Sequence, residues 1–253
     1  MKKLMTLALV ASLCMTQTAF AQEEGEAVTA EAGTSSSYSV SVAERPLTIT
    51  GGSLNADANL LFEGGFSSEV LEIGASYGIM DDLEVGLKLP LTFGLLDIPF
   101  TAHDMTVGAV YRFMSGDFEM GAALDIKIPL STDFGLSVGA PVLFHAGMMR
   151  LRSGVMLNID FAAATVLGLE IPVGADLALT ESLNVGVNSG FNIANFDGFA
   201  WALPLGVSLG YTFGSGSPAA DVNLVFDMPN FASDAGVDAG NYTIGVMSRI
   251  YIL

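Results

Sequence analysis

The sequence has few of the residues on which several classes of protein depend. It contains one cysteine, two histidines and nine basic residues against 27 acidic residues, giving a formal net charge of −18. The shortage of lysine and arginine argues against a nucleic-acid partner, because such binding depends on basic clusters. The one cysteine, Cys14, lies in the amino-terminal leader, where Leu13 makes a poor lipoprotein site. We therefore expect no disulfide and no thiolate metal site in the mature chain.

Groups that carry catalysis are equally scarce. The two histidines are His103 and His145, and neither stands near a serine and an acid in the arrangement that a nucleophilic enzyme needs. The sequence also has no glycine-rich phosphate loop and no cluster of histidine and aspartate at metal-ligand spacing. A lone histidine more often has a structural role. We expect no enzymatic activity, no cofactor and no metal.

Long apolar runs are missing beyond the amino terminus. Two lysines and an apolar run from Leu4 to Met15 open the chain, and Ala19 and Ala21 supply the small residues of a cleavage site. This pattern predicts a secretory signal peptide over residues 1–21. The alternative is an uncleaved membrane anchor, but the run is shorter than the roughly 18 to 20 residues that a spanning helix needs.

What the chain has in quantity is apolar residues at every second position. Mean hydropathy is +0.54 and only 14% of the residues are charged. Between Leu83 and Gly94 every odd position is large and apolar, whereas the even positions include Glu84, Gly86 and Lys88. A period of two indicates a β-strand, and a run of this length matches a tilted strand that spans a membrane.

The same alternation predicts an all-β fold, a transmembrane antiparallel up-and-down β-barrel of about twelve strands. Closure pairs every backbone group and leaves no edge in lipid. The soluble alternative is a β-sandwich, which would have shorter strands. The predicted strands span residues 53–63, 69–79, 83–94, 104–113, 118–130, 139–150, 154–162, 166–179, 183–194, 199–213, 220–229 and 241–253.

The barrel is expected to occupy residues 46–253. Residues 22–45 are acidic and then rich in serine, and they read as a flexible periplasmic lead, with a short strand at Tyr38 to Val42 as the alternative. An even number of strands places both termini on the periplasmic side of a bacterial outer membrane.

Connection lengths predict the orientation of the barrel. Periplasmic turns are short in such proteins and extracellular loops are longer. The short connections are Met80 to Asp82, Met114 to Asp117, Leu151 to Ser153, Thr180 to Ser182 and Gly214 to Ala219. The alternate connections, which are mostly longer and often acidic, are Gly64 to Ser68, Leu95 to His103, Ser131 to Val138, Ala163 to Thr165, Asn195 to Gly198 and Asn230 to Gly240.

Most charges in the predicted strands fall on the face opposite the large apolar residues. These candidate lumen-lining residues are Asp57, Glu72, Glu84, Lys88, Arg112, Glu119, Asp125, Lys127, Asp160, Glu170, Asp176, Asp221, Asp227 and Arg249. Acids outnumber bases, so an open lumen would pass small solutes and disfavour anions. The alternative is that the charges pair across the barrel and fill a narrow lumen.

The other face carries apolar residues for contact with membrane lipid. Aromatic side chains near the predicted strand ends fit the girdles of a membrane barrel, and the alternative is that they form the core of a soluble sheet. They are Tyr77, Phe93, Phe113, Phe118, Trp201 and Phe213.

One hairpin pattern recurs along the chain. Residues 78–94 read GIMDDLEVGLKLPLTFG, and residues 174–187 repeat the glycine, the turn and the strand that follows it. The unit resembles the hairpins of bacterial outer-membrane transporter-like barrels, including those associated with the degradation of aromatic compounds. The carboxyl end departs from that pattern, because many such barrels finish with phenylalanine and this chain ends at Leu253.

The resemblance implies a pore or channel for small, apolar molecules and no catalytic residues. With the acid-rich inner face it predicts an outer-membrane pore or transporter whose partners are membrane lipid and a small-molecule solute. A barrel with a filled lumen and a structural or adhesive role is the alternative. Neither the solute nor the oligomeric state is indicated by the sequence.

Overall fold

A computed structural model describes most of the chain beyond the amino-terminal region. The residues described are 38–64, 69–93, 101–130, 133–162 and 164–252. The predicted signal peptide and residues 22–37 of the predicted lead lie outside them. No helix among the described residues is long and apolar enough to cross a membrane.

Twelve long strands form the described part of the fold. They are β1 (Leu54–Glu63), β2 (Glu69–Met80), β3 (Leu83–Phe93), β4 (Met105–Met114), β5 (Phe118–Ile128), β6 (Gly135–Ala146), β7 (Met149–Phe161), β8 (Thr165–Ala178), β9 (Leu183–Asn195), β10 (Ala200–Ser215), β11 (Ser217–Ser233) and β12 (Thr243–Ile252). Two short strands, Thr101–Ala102 and Gly236–Val237, pair with β3 and β11.

The sheet closes on itself. Each long strand pairs antiparallel with its neighbours in sequence, and β1 pairs with β12 in a register that sets Asp57 opposite Arg249. Closure therefore leaves none of the twelve strands as a free edge. The predicted antiparallel barrel of twelve strands is confirmed.

The distribution of side chains is the reverse of that in a soluble protein. Large apolar residues in the middle of strands are exposed, such as Leu87 at 44%, Val155 at 48% and Leu224 at 55%. The largest fully buried side chains include Glu69 and Asn55. An apolar outer surface with polar side chains inside is the pattern of a barrel that lies in lipid.

The strand boundaries differ from the prediction at several places. β6 begins at Gly135, so the loop predicted over Ser131 to Val138 is wrong from Gly135 onward. The turn between β6 and β7 is at Gly147 and Met148, so the turn predicted at Leu151 to Ser153 is wrong. Gly147 has a φ of 63°, a conformation that glycine adopts without strain.

The two longest strands account for two further differences. The turn predicted over residues 214–219 is confined to Gly216, because pairing continues to Ser215 on one side and from Ser217 on the other. The long loop predicted over residues 230–240 begins as a hairpin, in which β11 continues to Ser233 and pairs with Gly236–Val237.

Residues 38–53, here called the inner segment, precede β1 and pack within the barrel. A short 3₁₀ turn spans Val42–Glu44, where the sequence suggested a flexible lead or a short strand. Tyr38, Ala43 and Ile49 are buried. The chain thus contacts the interior of the barrel before the first barrel strand begins.

Candidate pore interior

The inner segment touches strands on several sides of the barrel. The amide of Leu47 donates to Glu119 of β5 at 2.9 Å, and the amide of Ile49 donates to Glu84 of β3 at 3.0 Å. Arg45 reaches the opposite wall at β10, β11 and β12. A single segment can meet all these strands only from inside the closed sheet, so these contacts identify the inner face.

Arg45 is the anchor of the inner segment and is 4% exposed. Its guanidinium forms a bidentate ion pair with Asp221. It also donates hydrogen bonds to the hydroxyls of Tyr251 and Thr212, each at 2.9 Å. It also lies over the ring of Tyr38, 5.7 Å from the ring centre. Because its donors face acceptors on three strands, the buried charge of Arg45 is well compensated.

Charge on Arg45 persists at all ordinary pH values. Burial alone would lower the pKa of this guanidinium, but the hydrogen bond and charge of Asp221 outweigh that effect and raise the pKa above its ordinary value. The contribution of Arg45 to docking is therefore present throughout the physiological range and is lost only in strong alkali.

The buried apolar contacts in the described interior also involve the inner segment. Tyr38 and Ile49 pack on Tyr251, and Val42 and Ala43 pack on Ala178. Both clusters lie at the end of the barrel where turns of one to four residues join the strands, here called the turn end. The opposite end is called the loop end.

Some polar side chains at the turn end have no partner. The side-chain amide of Asn55 and the hydroxyl of Ser76 are buried at the turn end without a hydrogen-bond partner. These two residues lie opposite each other on β1 and β2. Each unpaired polar group costs about 1–3 kcal/mol when it is taken out of water. These two residues therefore reduce the stability of the folded barrel.

Several of the fourteen candidate lumen-lining residues meet in ion pairs along the wall. Arg249 pairs with Asp57 at 2.6 Å, and Arg112 pairs with Glu119 at 3.2 Å. Lys127 pairs with Asp160. The first two pairs join neighbouring strands, and the third passes over the glycine Gly135 of β6.

Two of the other acids lie over glycines of the next strand. A methyl group added to Gly108 would collide with a carboxylate oxygen of Asp125, and one added to Gly206 would collide with Asp227. The glycines therefore make shallow grooves in which these carboxylates lie along the wall.

The remaining candidates are placed by hydrogen bonds and register. Glu72 accepts from the amide of Asn59 at 3.1 Å, and Glu84 accepts from the inner segment as described above. Lys88 stands opposite Gly74, and Glu170 stands opposite Asn192. Asp176 and Asp221 accept from arginines.

Sequence reasoning missed three arginines of this interior. Arg150 and Arg152 both donate to Asp176, at 2.8 and 2.9 Å for the shortest contact of each. The predicted strand 139–150 ends at Arg150 and the predicted turn contains Arg152, although both share the even-numbered phase of Asn158 and Asp160 along β7. That shared phase was the available signal. Arg45 falls in the predicted lead, where no alternation of apolar and polar residues indicates that its side chain enters the barrel.

Two cavities lie within the described part of the barrel. The larger, at the loop end, has a volume of about 780 Å³ and is lined by Lys127, Asp160, Glu170 and the hairpin of residues 230–238. The smaller, about 310 Å³, lies beside Pro46 and Leu47 of the inner segment. No group of three or more metal-ligating side chains occurs among the residues described.

The fold is similar to those of bacterial outer-membrane porins of known structure. The KdgM porin is 8% identical, with a TM-score of 0.60 over 78% of this chain and 98% of that protein. The NanC porin is 10% identical, with a TM-score of 0.60 over 78% of this chain and 100% of that protein. At such identities the likeness concerns the fold.

An outer-membrane channel from Pseudomonas putida F1 has the same architecture. It is 12% identical to this chain, with a TM-score of 0.53 over 81% of this chain and 96% of that protein. No protein-family model matches the sequence, and no curated protein matches it. The chain thus has the fold of outer-membrane porin and channel barrels.

Proposed function

We propose that this protein is an outer-membrane pore or transporter for small solutes, and that its inner segment closes the periplasmic end. The observation that carries the proposal is the contrast between the two ends of the barrel. Residues 38–53 occupy the turn end and leave a cavity of about 310 Å³ beside them, whereas the loop end contains a cavity of about 780 Å³. Displacement of one segment would join that cavity to the periplasm.

The arrangement of the charges supports a lumen that is open beyond the inner segment. Charges that paired across the centre of the barrel would obstruct it. Here Asp57 pairs with Arg249 on the adjacent strand, and Asp176 pairs with two arginines on the adjacent strand. Such pairs lie flat on the wall and leave the axis free for a solute and water.

The charge of the interior favours neutral or cationic solutes. Acids outnumber bases among the fourteen proposed lumen-lining residues, and still do so when Arg45, Arg150 and Arg152 are added. This excess raises the local concentration of cations and repels anions. The KdgM porin has been seen in complex with oligogalacturonate, a polyanion. We infer that the solute of this chain belongs to a different class, and that the protein has no catalytic role.

A structural or adhesive barrel with a filled lumen is the second candidate. The buried inner segment favours it, because Arg45 and its partners hold that segment firmly in the turn end. The two candidates differ in whether the segment can leave. In a pore the inner segment can be displaced to open the lumen, whereas in a structural barrel it fills the lumen permanently.

Conductance in planar bilayers separates the two functions. The matched pair is the whole mature chain and a chain that lacks residues 38–50, which keeps all of β1 and its hydrogen bonds. We expect the whole chain to conduct only while the segment is displaced, and the shortened chain to conduct several-fold more on average, with a preference for cations. The physical reason is that the deletion removes the obstruction without changing the wall.

Two outcomes would contradict the proposal. If the shortened chain folds and inserts but is silent in repeated trials, the lumen is filled by more than the inner segment and the structural role is favoured. If the shortened chain conducts and prefers anions, the proposed solute class is wrong, although the pore remains.

A further inference from the structure

The smaller of the two cavities, here called the side cavity, lies between the inner segment and the wall formed by β6 to β9. Pro46 and Leu47 line it on the side of the inner segment. Arg150 and Arg152 of β7 line it on the side of the wall, and no acidic residue occurs among the described residues around it. The side cavity therefore has a local excess of positive charge, in contrast to the acid-rich interior as a whole.

The two arginines share a single carboxylate. Arg150 donates through Nε and Nη2 to Asp176, at 3.1 and 2.8 Å. Arg152 donates through Nε and Nη2 to the same carboxylate, and through Nη2 to the side-chain oxygen of Asn188 at 2.8 Å. Two guanidinium charges thus face one carboxylate charge, and one positive charge remains uncompensated within the group.

Each guanidinium also keeps donors for a ligand. Nη1 of Arg150 and Nη1 of Arg152 have no hydrogen-bond partner among the residues that the structure describes. Arg152 is the more accessible of the two, with a side chain that is 43% exposed, against 15% for Arg150. Guanidinium groups bind carboxylates through charge-assisted hydrogen bonds. The charged end of the side cavity is therefore suited to an anion.

The other end of the side cavity is mostly apolar and extends into the wall. Its lining there includes Pro141, Val142, Pro172 and Val173. Pairing between β7 and β8 stops at Ser153, opposite Val173, and resumes two residues beyond Gly154. Gly154 faces Pro172 in this interval, and proline has no N–H with which to continue the ladder. An apolar group can occupy the wall at this interruption.

The size of the side cavity restricts the ligand further. Its volume of about 310 Å³ is at the lower end of the range for small-molecule sites, which begins at about 300 Å³. This volume fits a small organic molecule better than a lipid. The lining selects a molecule with an anionic group at one end and an apolar body at the other.

We propose that the side cavity binds a small organic anion with an apolar body, and that the bound anion holds the inner segment in its docked position. The second part of this inference rests on the proposed role of the segment as the closure of the pore. The anion is a regulatory ligand and not the transported solute, because the acid-rich lumen repels anions.

The effect on the inner segment follows from linkage. A carboxylate between Arg150 and Arg152 accepts from the free Nη1 groups, while the apolar body lies against Pro46 and Leu47. Displacement of the segment removes Pro46 and Leu47 from the site, so the anion binds the docked state more tightly and shifts the equilibrium towards it. At ten times the Kd of the docked state, the ratio of docked to displaced segments rises by up to about tenfold.

The first test compares hexanoate with hexanamide, which has the same apolar body and no charge. Titration calorimetry of the whole mature chain should show saturable binding of hexanoate, and hexanamide should bind at least about tenfold more weakly, because it cannot form the charge-assisted hydrogen bonds. NMR of the same chain should show that hexanoate shifts the signal of the Leu47 amide.

Two variants locate the site. Arg152→Gln removes one guanidinium from the side cavity and leaves Arg150 to pair with Asp176, so no carboxylate loses its last partner. It should weaken hexanoate binding by at least about tenfold. Lys88→Gln is the control, because it removes the same charge from a part of the inner face that does not line the side cavity. Its affinity for hexanoate should equal that of the wild type.

The second test measures the docking of the inner segment. Hexanoate at ten times its Kd should slow solvent exchange of the Leu47 amide and lower the mean conductance of the whole chain, each by up to about tenfold. The chain that lacks residues 38–50 should keep its conductance at this concentration, because Pro46 and Leu47 are missing from its site. Hexanamide controls for effects of an apolar compound on the bilayer.

The outcomes separate the anion site from the pore. Equal affinity for hexanoate and hexanamide, or no saturable binding of hexanoate, overturns the site, and this comparison needs no variant to fold. Saturable binding of hexanoate with unchanged exchange at Leu47 overturns its effect on the inner segment. Silence of both chains in bilayers overturns the pore, and the calorimetry and exchange measurements then still support or overturn the site.

Discussion

Leu87 and Lys88 show that adjacent side chains of a strand in this barrel lie in different environments. They are neighbours on β3, at mid-strand, and successive side chains of a strand point to opposite faces. Leu87 lies on the apolar outer surface and is 44% exposed. Lys88 stands opposite Gly74 on the inner face. The same type of substitution should therefore have different consequences at the two positions.

Charge at Leu87 should disrupt folding and loss of charge at Lys88 should not. Leu87→Arg places a cation against the middle of the bilayer, which costs a membrane barrel about 2–4 kcal/mol. Lys88→Gln leaves the outer surface unchanged, removes one positive charge from the lumen and should increase the preference for cations. Folding yield in lipid vesicles and reversal potential in bilayers measure the two effects. Equal tolerance of both substitutions would show that β3 does not cross the membrane.

The position of the inner segment depends on close contact between its backbone and the backbone of β2 at Gly78. Gly52 donates to the carbonyl of Gly78 at 2.7 Å, and Gly78 donates to Ser53 at 3.0 Å. A side chain at Gly78 would meet the carbonyl oxygen of Thr50 and would lie 3.1 Å from that of Ile49. Backbone cannot move aside as a flexible side chain can, so Gly78 is required for docking.

Gly78→Ala should loosen the inner segment without dissolving the barrel. We expect the amides of Leu47 and Ile49 to exchange with solvent at least about tenfold faster and conductance to rise towards that of the shortened chain. Gly198→Ala is the control, because a side chain there meets open space. Hydrogen exchange followed by NMR gives the measurement. Unchanged protection of both amides in Gly78→Ala would show that the segment is not seated by this contact.

The whole barrel has two ends, and its orientation in a cell can be tested at both. β11 runs from the turn at Gly216 to the hairpin that carries Asp234, so these two exposed positions lie at opposite ends of the molecule. Short turns belong to the periplasmic side of such barrels and longer loops to the outside.

A protease-cleavable tag at Asp234 should be cut on intact cells, and the same tag at Gly216 should be protected until the outer membrane is broken. Both insertions fall in exposed turns, so neither should prevent folding. The comparison therefore reports location alone. Cleavage at Gly216 alone on intact cells would invert the orientation and would place the inner segment at the cell surface.

The sequence by itself determined the barrel. Alternation with a period of two, as along Leu83 to Gly94, is a local property that fixes which residues face lipid, and repeated over the chain it fixes the strand number and the closed architecture. The predicted strand boundaries are wrong where a polar sequence resembles a turn within a strand, as at Leu151 to Ser153. There Arg152 read as part of a polar turn, whereas the conformation of Gly147 places the turn earlier and pairing with Asp176 keeps both arginines on the wall.

Only the tertiary structure decided what fills the barrel. Arg45 and Asp221 are 176 positions apart in sequence, and His145 is 102 positions from Ala43. No periodicity relates residues at such separations, because their contact depends on closure of the sheet around a segment that belongs to no strand. The acidic, serine-rich composition of that region favoured a flexible lead, yet ion pairing with Asp221 and burial of Tyr38 and Ile49 outweigh that local preference once the barrel encloses them.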